Sequence, residues 1–213
     1  MRIERRLVAG LSILLSTVMC ASTAQADPMV FADQSRFAAA LPSVPQILDF
    51  DHLAPGTTIE DAATAGGITF EYDFEGLSMK VTHLYATTSS PNFLGTADGG
   101  MFHDGDDFTL FFEPGNAIGL FFISADPLVD GDITVTAGGV TAALVAQDVH
   151  DTLADGSRVY FIGIVNAQAP ITEARVEALP GGFFLYNVDD IITAPIKKPS
   201  VANATRGVDS AAL

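Results

Sequence analysis

The sequence predicts an all-β protein, an antiparallel β-sandwich of jelly-roll type with one short N-terminal helix. Many short runs of β-branched and aromatic residues follow one another at even spacing, and glycine, proline, asparagine and aspartate bound them. The two central runs, residues 107–113 and 117–123, are apolar on both faces. Strands of that kind are covered on both sides, as they are in the middle of a sandwich.

The first predicted element is a helix over residues 33–41. Asp33 can cap its first turn, a run of alanines favours it, and Pro42 ends it. Phe37 and Leu41 are four residues apart and therefore share one face, which we expect to pack against the sandwich.

The predicted strands follow in quick succession. They cover residues 46–51, 67–73, 79–86, 132–137, 140–146, 158–165, 171–178 and 183–192, in addition to the two central runs. A polar loop is predicted over residues 87–106, and the pair Gly138-Gly139 predicts a tight primed turn.

The central runs flank Pro114-Gly115-Asn116, which predicts a hairpin turn because proline presets φ and glycine accepts positive φ. Alternation places two sets of three residues on the buried face of this hairpin. The first set is Phe108, Leu110 and Phe112, and the second is Ile118, Leu120 and Phe122.

The two ends of the chain differ from the part between them. Residues 1–26 combine three early arginines, an apolar run and Ala24-Gln25-Ala26, the pattern of a cleavable signal peptide. We expect a β-sandwich domain over residues 27–193 and a disordered tail over residues 194–213, where no strand pattern occurs. The expected location is secreted or periplasmic, and no other segment is apolar enough to span a membrane.

Composition narrows the possible partners. The chain contains 10 basic and 26 acidic residues, a net charge of −16. A protein this acidic lacks the basic patch that nucleic acids require.

The only cysteine, Cys20, lies in the predicted signal peptide. Stability of the exported domain must therefore come from its apolar core or from a bound ion rather than from disulfides.

Several sequence blocks occur in a recognisable order. They are Asp49-Phe50-Asp51, Gly67-Ile68-Thr69-Phe70, Asn92-Phe93-Leu94-Gly95, Ala117-Ile118-Gly119, Ile171-Thr172-Glu173-Ala174 and Asn187-Val188-Asp189-Asp190-Ile191. With these blocks the chain resembles secreted bacterial β-sandwich proteins of the jelly-roll, carbohydrate-binding-module-like kind that often carry a PEP-CTERM sorting signal. The resemblance implies an exported jelly-roll sandwich. The sorting signal itself is absent, so we expect release rather than anchoring at the cell surface.

Acidic residues at the two ends of the domain predict a structural calcium site. Asp49 and Asp51 belong to the first predicted strand, and Asp189 and Asp190 belong to the last. Calcium takes six to eight oxygen ligands, which two acidic strand ends and backbone carbonyls can supply. The alternative is that these aspartates only hydrogen-bond the backbone at a strand end.

A rival calcium site lies in the loop before the central strand. Asp104, Asp106 and Asp107 surround Gly105, although their spacing does not follow the EF-hand pattern. The alternative for this group is an ordinary solvated loop.

One strand carries a possible catalytic pattern. Glu71, Asp73 and Glu75 alternate, so a strand would place them on one face, and a Glu-x-Asp-x-Glu strand resembles the catalytic strand of jelly-roll β-glucanases. The chain has no tryptophan to line a sugar cleft. The competing interpretation, the polar outer face of a half-buried strand, is favoured.

The sequence favours an exported, non-catalytic module that binds a polysaccharide or another matrix polymer, with calcium as a structural ion. Tyr72, Tyr85 and Tyr160 could stack on sugar rings, although strand tyrosines more often lie in the core. Two alternatives stay open, a glycan-cleaving hydrolase that uses Glu71, Asp73 and Glu75, and a purely structural surface protein.

Overall fold

A computed structural model describes residues 27–74 and 76–196, and within them the chain is almost entirely β. One helix, α1 (Gln34–Ala40), accompanies fifteen strands in the described residues. The strands are β1 (Met29–Phe31), β2 (Gln46–Leu48), β3 (Thr58–Ile59), β4 (Ala63–Ala65), β5 (Ile68–Tyr72), β6 (Met79–Thr82), β7 (Phe93–Thr96), β8 (Phe102–His103), β9 (Phe108–Ser124), β10 (Ile133–Ala137), β11 (Val140–Ala143), β12 (Val149–Thr152), β13 (Arg158–Val165), β14 (Ile171–Ala178) and β15 (Leu185–Pro195). The predicted all-β sandwich with a short N-terminal helix is confirmed.

The centre of the fold is β9, a single strand of 17 residues. Its first half pairs with β5 and β14, and its second half pairs with β13 and β15. The strand therefore contributes to both layers of the sandwich, and the predicted hairpin turn at residues 114–116 is wrong.

The reason lies in what Pro114 and Gly115 meet. Gly115 lies against the end of β15, where an added Cβ would come within 2.8 Å of the Ala194 carbonyl oxygen. The glycine is needed for this close approach of two backbones rather than for a turn. The Pro114 carbonyl accepts a hydrogen bond of 3.0 Å from the Ile196 N–H, so the strand passes through the proline without a break.

The two layers enclose the main apolar core. One layer contains β4, β5, the first half of β9, β14, β10 and β11; the other contains the second half of β9 with β13, β15 and the short strands paired to them. The predicted buried face of β9 is confirmed. Five of its six predicted residues are fully buried there and Phe112 packs against them; the five are Phe108, Leu110, Ile118, Leu120 and Phe122.

A second, smaller cluster covers the outer face of the second layer, where Phe37 of α1 packs on Phe121 and Phe161. Asp33 caps the helix as predicted, because its carboxylate accepts a hydrogen bond of 2.8 Å from the Arg36 N–H. Gly119 and Gly163 pair directly across β9 and β13. Both glycines lie under Phe37, which leaves room for its ring.

A β-bulge at Asp190 divides β15 into two parts, since the register with β9 shifts between Asp189 and Ile192. Asp190 adopts a left-handed conformation with φ of 47°. Before the bulge, Tyr186 and Val188 face the main core; after it, Ile191 does, and Ile192 turns to the outer cluster. The bulge thus exchanges the two faces of the last strand.

The other strand predictions are confirmed for the long strands, but some short strands were not predicted. Strands β13 and β14 have the predicted bounds, and Gly138 and Gly139 form the predicted turn with φ of 57° and 82°. Strands β7 and β8 lie inside the predicted loop over residues 87–106. Strand β15 runs to Pro195, beyond the predicted domain end at residue 193.

The predicted signal peptide lies outside the described residues, and so does the predicted tail from residue 197 onward. Within the described ranges, no helix is long and apolar enough to cross a membrane.

Candidate functional site

The connection between β6 and β7, residues 83–92, crosses the outer face of β15 and is called the strap here. Asp189 of β15 is fully buried beneath it. Its carboxylate accepts hydrogen bonds from the Thr87 hydroxyl, from the Thr88 hydroxyl at 2.8 Å and from the Ser89 N–H at 2.9 Å. Asp189 therefore anchors the strap to the last strand.

The pKa of Asp189 is raised to about 6. Burial is the main cause and the neighbouring Asp190 carboxylate adds to it, while the hydrogen bonds from the strap act in the opposite direction. Burial also raises the pKa of Asp190, and the nearby Asp49 and Asp51 carboxylates add to this increase. The first and last predicted strands meet as expected, because β2 pairs with the end of β15.

The four predicted calcium ligands have different roles in this structure. Asp189 holds the strap, the Asp51 carboxylate accepts a hydrogen bond of 2.8 Å from the Asn92 N–H, and the Asp49 carboxylate accepts one of 3.1 Å from the Asp51 N–H. Among the described residues, no group of three or more metal-ligating side chains is placed to hold an ion. Calcium at this junction, with Asp49, Asp51, Asp189 and Asp190 as its ligands, stays a prediction.

The three aspartates of the rival loop have separate protein partners. Asp106 is buried and accepts a hydrogen bond of 2.6 Å from the His103 N–H. Asp104 accepts one of 2.7 Å from the Gly181 N–H, and Asp107 contacts Arg175 at 3.2 Å. Each of the three carboxylates thus binds a different segment of the chain, and they do not converge on one point.

The predicted catalytic pattern does not form one continuous strand, because β5 ends at Tyr72. Glu71 is exposed on the open face of the first layer. Asp73 forms an ion pair of 3.0 Å with Arg175 of β14. Glu75 lies outside the described residues. Glu71 and Asp73 thus belong to the solvated face of a sheet, and Asp73 is already neutralised by a cation.

A small pocket lies at the other end of the strap, on the outer face of β9 and β15. Its volume is about 210 Å³, and we call it the Tyr85 pocket. The residues that line it are Tyr85, Met101, Ile123, Ala125, Asp126, Asp155, Ser157, Leu185 and Asn187. Five separate segments of the chain contribute these residues. The lining combines the apolar side chains of Ile123 and Met101 with an aromatic ring, an amide and two carboxylates.

Tyr85 forms the aromatic wall of this pocket. Its side chain is 44% exposed, and its ring stacks on the buried Phe93 with 6.2 Å between the ring centroids. Thr87 and Ser89 follow it closely in the strap, so the anchor on Asp189 also limits the movement of Tyr85. The other two tyrosines named from the sequence, Tyr72 and Tyr160, are buried in the main core.

Asn187 lines the pocket and has an unsatisfied polar atom in its side chain. The residue is only 3% exposed, and it pairs with Ile123 across β9 and β15 on the outer face. Its Oδ1 atom is buried and accepts no hydrogen bond from the described residues. A buried carbonyl oxygen without a donor costs free energy.

A larger cleft of about 690 Å³ lies near the N-terminus, between β1, the start of α1 and residues 147–150. Its charged side chains have both signs, Arg36 together with Asp33 and Asp148. Asp33 is already used as the helix cap. Because its charges have both signs and Asp33 already has a partner, this cleft is a weaker candidate for a ligand site than the Tyr85 pocket.

Comparisons with known proteins show no close relative. No protein-family model matches the sequence, and no curated protein matches it either. Among solved structures, the Agl-KA catalytic domain aligns with 71% of this chain and 29% of its own at 13% identity and a TM-score of 0.37. The catalytic domain of a GH87 alpha-1,3-glucanase in complex with tetrasaccharides aligns with 71% and 30% at 12% identity and a TM-score of 0.33.

An Arthrobacter globiformis isomalto-dextranase complexed with panose aligns with 78% of this chain and 34% of its own, at 16% identity and a TM-score of 0.33. The chain thus spans about a third of the length of these structures. Likeness at this level carries no conclusion about the activity of this chain, which must be argued from its own residues.

Proposed function

We propose that this chain is an exported, non-catalytic β-sandwich module that binds glycan or a related extracellular polymer at the Tyr85 pocket. The observation that carries the proposal is a pocket of about 210 Å³ that is walled by the partly exposed Tyr85 and lined by Asp126 and Asp155. The export part rests on the sequence of residues 1–26.

A sugar ring matches this combination of groups. One side of a pyranose presents C–H groups, which pack against the face of an aromatic ring, while its edge presents hydroxyl groups that form hydrogen bonds. The Tyr85 ring offers the aromatic face, and Asn187, Asp126 and Asp155 offer polar atoms around it. Binding pockets commonly combine an apolar wall with a few converging polar groups.

The described members of the predicted catalytic set, Glu71 and Asp73, do not line the Tyr85 pocket. A retaining glycosidase needs two carboxyl groups on opposite sides of one scissile bond. Asp73 is paired with Arg175 on an open sheet face, away from the Tyr85 pocket. The hydrolase alternative with Glu71, Asp73 and Glu75 thus gains no support from the described residues.

Calcium is part of the proposal as a structural ion at the junction of β2 and β15. The supporting observation is the raised pKa of Asp190, which burial causes first and which the Asp49 and Asp51 carboxylates increase. A divalent cation between these groups would turn their repulsion into attraction and stabilise the folded state.

A glycan array probed with the purified protein tests the proposal, with affinity electrophoresis on soluble polysaccharides as a second readout. We expect retention on a subset of glycans without release of reducing sugar. A protein retained by no glycan in either assay would leave the structural surface protein as the better description. Release of sugar that stops in Glu71→Gln would instead establish the hydrolase alternative.

A further inference from the structure

Two carboxylates line the Tyr85 pocket, those of Asp126 and Asp155. The Asp126 carboxylate accepts one hydrogen bond of 2.9 Å, from the Leu185 N–H, and the Asp155 carboxylate accepts one of 3.0 Å, from the Ser157 N–H. The second oxygen of Asp126 accepts no hydrogen bond from the described residues, and Asp155 is exposed to solvent. An ionised carboxylate only accepts hydrogen bonds, so a ligand must bring the donors.

Asp155 is ionised at neutral pH. The hydrogen bond from the Ser157 N–H, more than any other interaction, lowers the pKa of its carboxyl group, and the Ala86 N–H of the strap lowers it further. A lasting negative charge at the rim disfavours any anionic ligand, and the protein as a whole has a net charge of −16.

The size of the pocket limits how much of a polymer it can hold. Its volume of about 210 Å³ lies below the roughly 300–1,000 Å³ of clefts that hold drug-sized ligands. A space of this size accommodates one sugar ring, with the rest of a glycan outside. A single ring at a chain end or at a branch fits this geometry better than an internal run of several residues.

From these observations we propose that the Tyr85 pocket recognises one neutral sugar ring at a glycan terminus or branch and discriminates against uronic and sulfated sugars. The ring stacks on Tyr85, and its hydroxyl groups donate hydrogen bonds to the carboxylates of Asp126 and Asp155. The inference rests on the proposed glycan-binding function and adds the class of sugar to it.

Isothermal titration with two matched pairs of sugars tests this selectivity. One pair consists of the methyl glycosides of glucose and glucuronic acid, and the other of those of galactose and galacturonic acid. Within each pair, the neutral sugar has a hydroxymethyl group where the acid has a carboxylate. For the pair whose neutral member binds, we expect affinity at least about tenfold higher than for the acid at low ionic strength. Extending the bound sugar from one ring to four is expected to change affinity by less than about threefold.

Two variants identify the source of the discrimination. Asp155→Asn and Asp126→Asn remove one negative charge each from the pocket, so each should narrow the ratio between neutral and acidic sugar. Glu173→Gln removes the same charge from the exposed face of β14, away from the pocket, and should leave the ratio unchanged.

Equal affinity for neutral and acidic sugars, or a ratio that neither pocket variant alters, would overturn the selectivity and leave glycan binding intact. The selectivity would also be overturned if only long oligosaccharides bind, because one ring would then be insufficient. If no sugar or glycan binds at all, the proposed function fails together with this inference.

Discussion

Asp189 and Ser89 are a hundred residues apart in sequence, and the Ser89 N–H donates a hydrogen bond of 2.9 Å to the Asp189 carboxylate. This contact joins the last strand to the strap that carries Tyr85. Asp189, one of the predicted metal ligands, therefore also holds the strap in place. Its burial and hydrogen bonds lead to the first two predictions.

The first prediction concerns Asp189→Ala. The variant leaves the donors of Thr87, Thr88 and Ser89 without their acceptor, so we expect a loss of about 2–4 kcal/mol in the free energy of unfolding. Chemical denaturation measures this loss. The same assay on Asp151→Ala, which truncates an exposed aspartate of β12, should change stability by less than about 0.5 kcal/mol. Equal stability of Asp189→Ala and wild type would show that the strap is not anchored by this residue.

The second prediction concerns pH. The pKa of Asp189 is about 6 in the folded protein and 3.8 in the unfolded chain, so the folded state binds a proton more tightly. The stability that Asp189 contributes should therefore be complete below pH 4 and be lost as the pH rises through 6, by at most about 3 kcal/mol.

Denaturation of wild type and Asp189→Asn between pH 4 and 7, in chelator, isolates this contribution from that of the other carboxylates. The difference in unfolding free energy between the two proteins should change across this range, in favour of wild type at the acidic end. A constant difference would show that Asp189 does not titrate there.

The third prediction concerns the space under the helix. In Gly163→Ala the added Cβ would come within 2.5 Å of the Phe37 ring and 2.7 Å of the Phe161 ring. Overpacking of this kind should destabilise the protein by about 1–3 kcal/mol. Gly99→Ala is the matched control, because no atom lies within 4 Å of the added methyl group. A melting temperature unchanged in Gly163→Ala would mean that α1 does not pack on β13 as described.

The fourth prediction concerns calcium. If calcium binds at the junction of β2 and β15, the melting temperature should be higher in calcium than in chelator, by the equivalent of about 2.7 kcal/mol at a hundredfold excess over the dissociation constant. Asp190→Asn should reduce this difference, and Asp106→Asn in the rival loop should preserve it. Identical melting curves in calcium and chelator would remove the ion from the description.

The sequence was sufficient to predict the fold class and the buried face of β9. Phe108, Leu110 and Phe112 are separated from Ile118, Leu120 and Phe122 by even numbers of residues. In one continuous strand, such positions share a face. Pro114-Gly115 nevertheless favoured a turn, because its actual role is a close contact with β15, which is distant in sequence. Local turn preference cannot reveal such a contact.

The candidate site was less predictable. Tyr85 could be named from the sequence as a possible sugar platform, and the meeting of β2 with β15 was foreseen. The bulge at Asp190 and the unsatisfied amide of Asn187 arise from tertiary packing, and neither has a local sequence signal. The Tyr85 pocket forms only when five separate segments come together, so the sequence could not locate it.

The most direct test of glycan binding at the Tyr85 pocket compares two exposed aromatic residues. Tyr85→Ala and Phe183→Ala are titrated with the glycan that wild type retains; Phe183 is 90% exposed and does not line the pocket. We expect Tyr85→Ala to lower affinity by about tenfold or more, through loss of the stacking surface, and Phe183→Ala to bind within about twofold of wild type. Wild-type affinity in Tyr85→Ala would contradict the proposal that this pocket binds glycan.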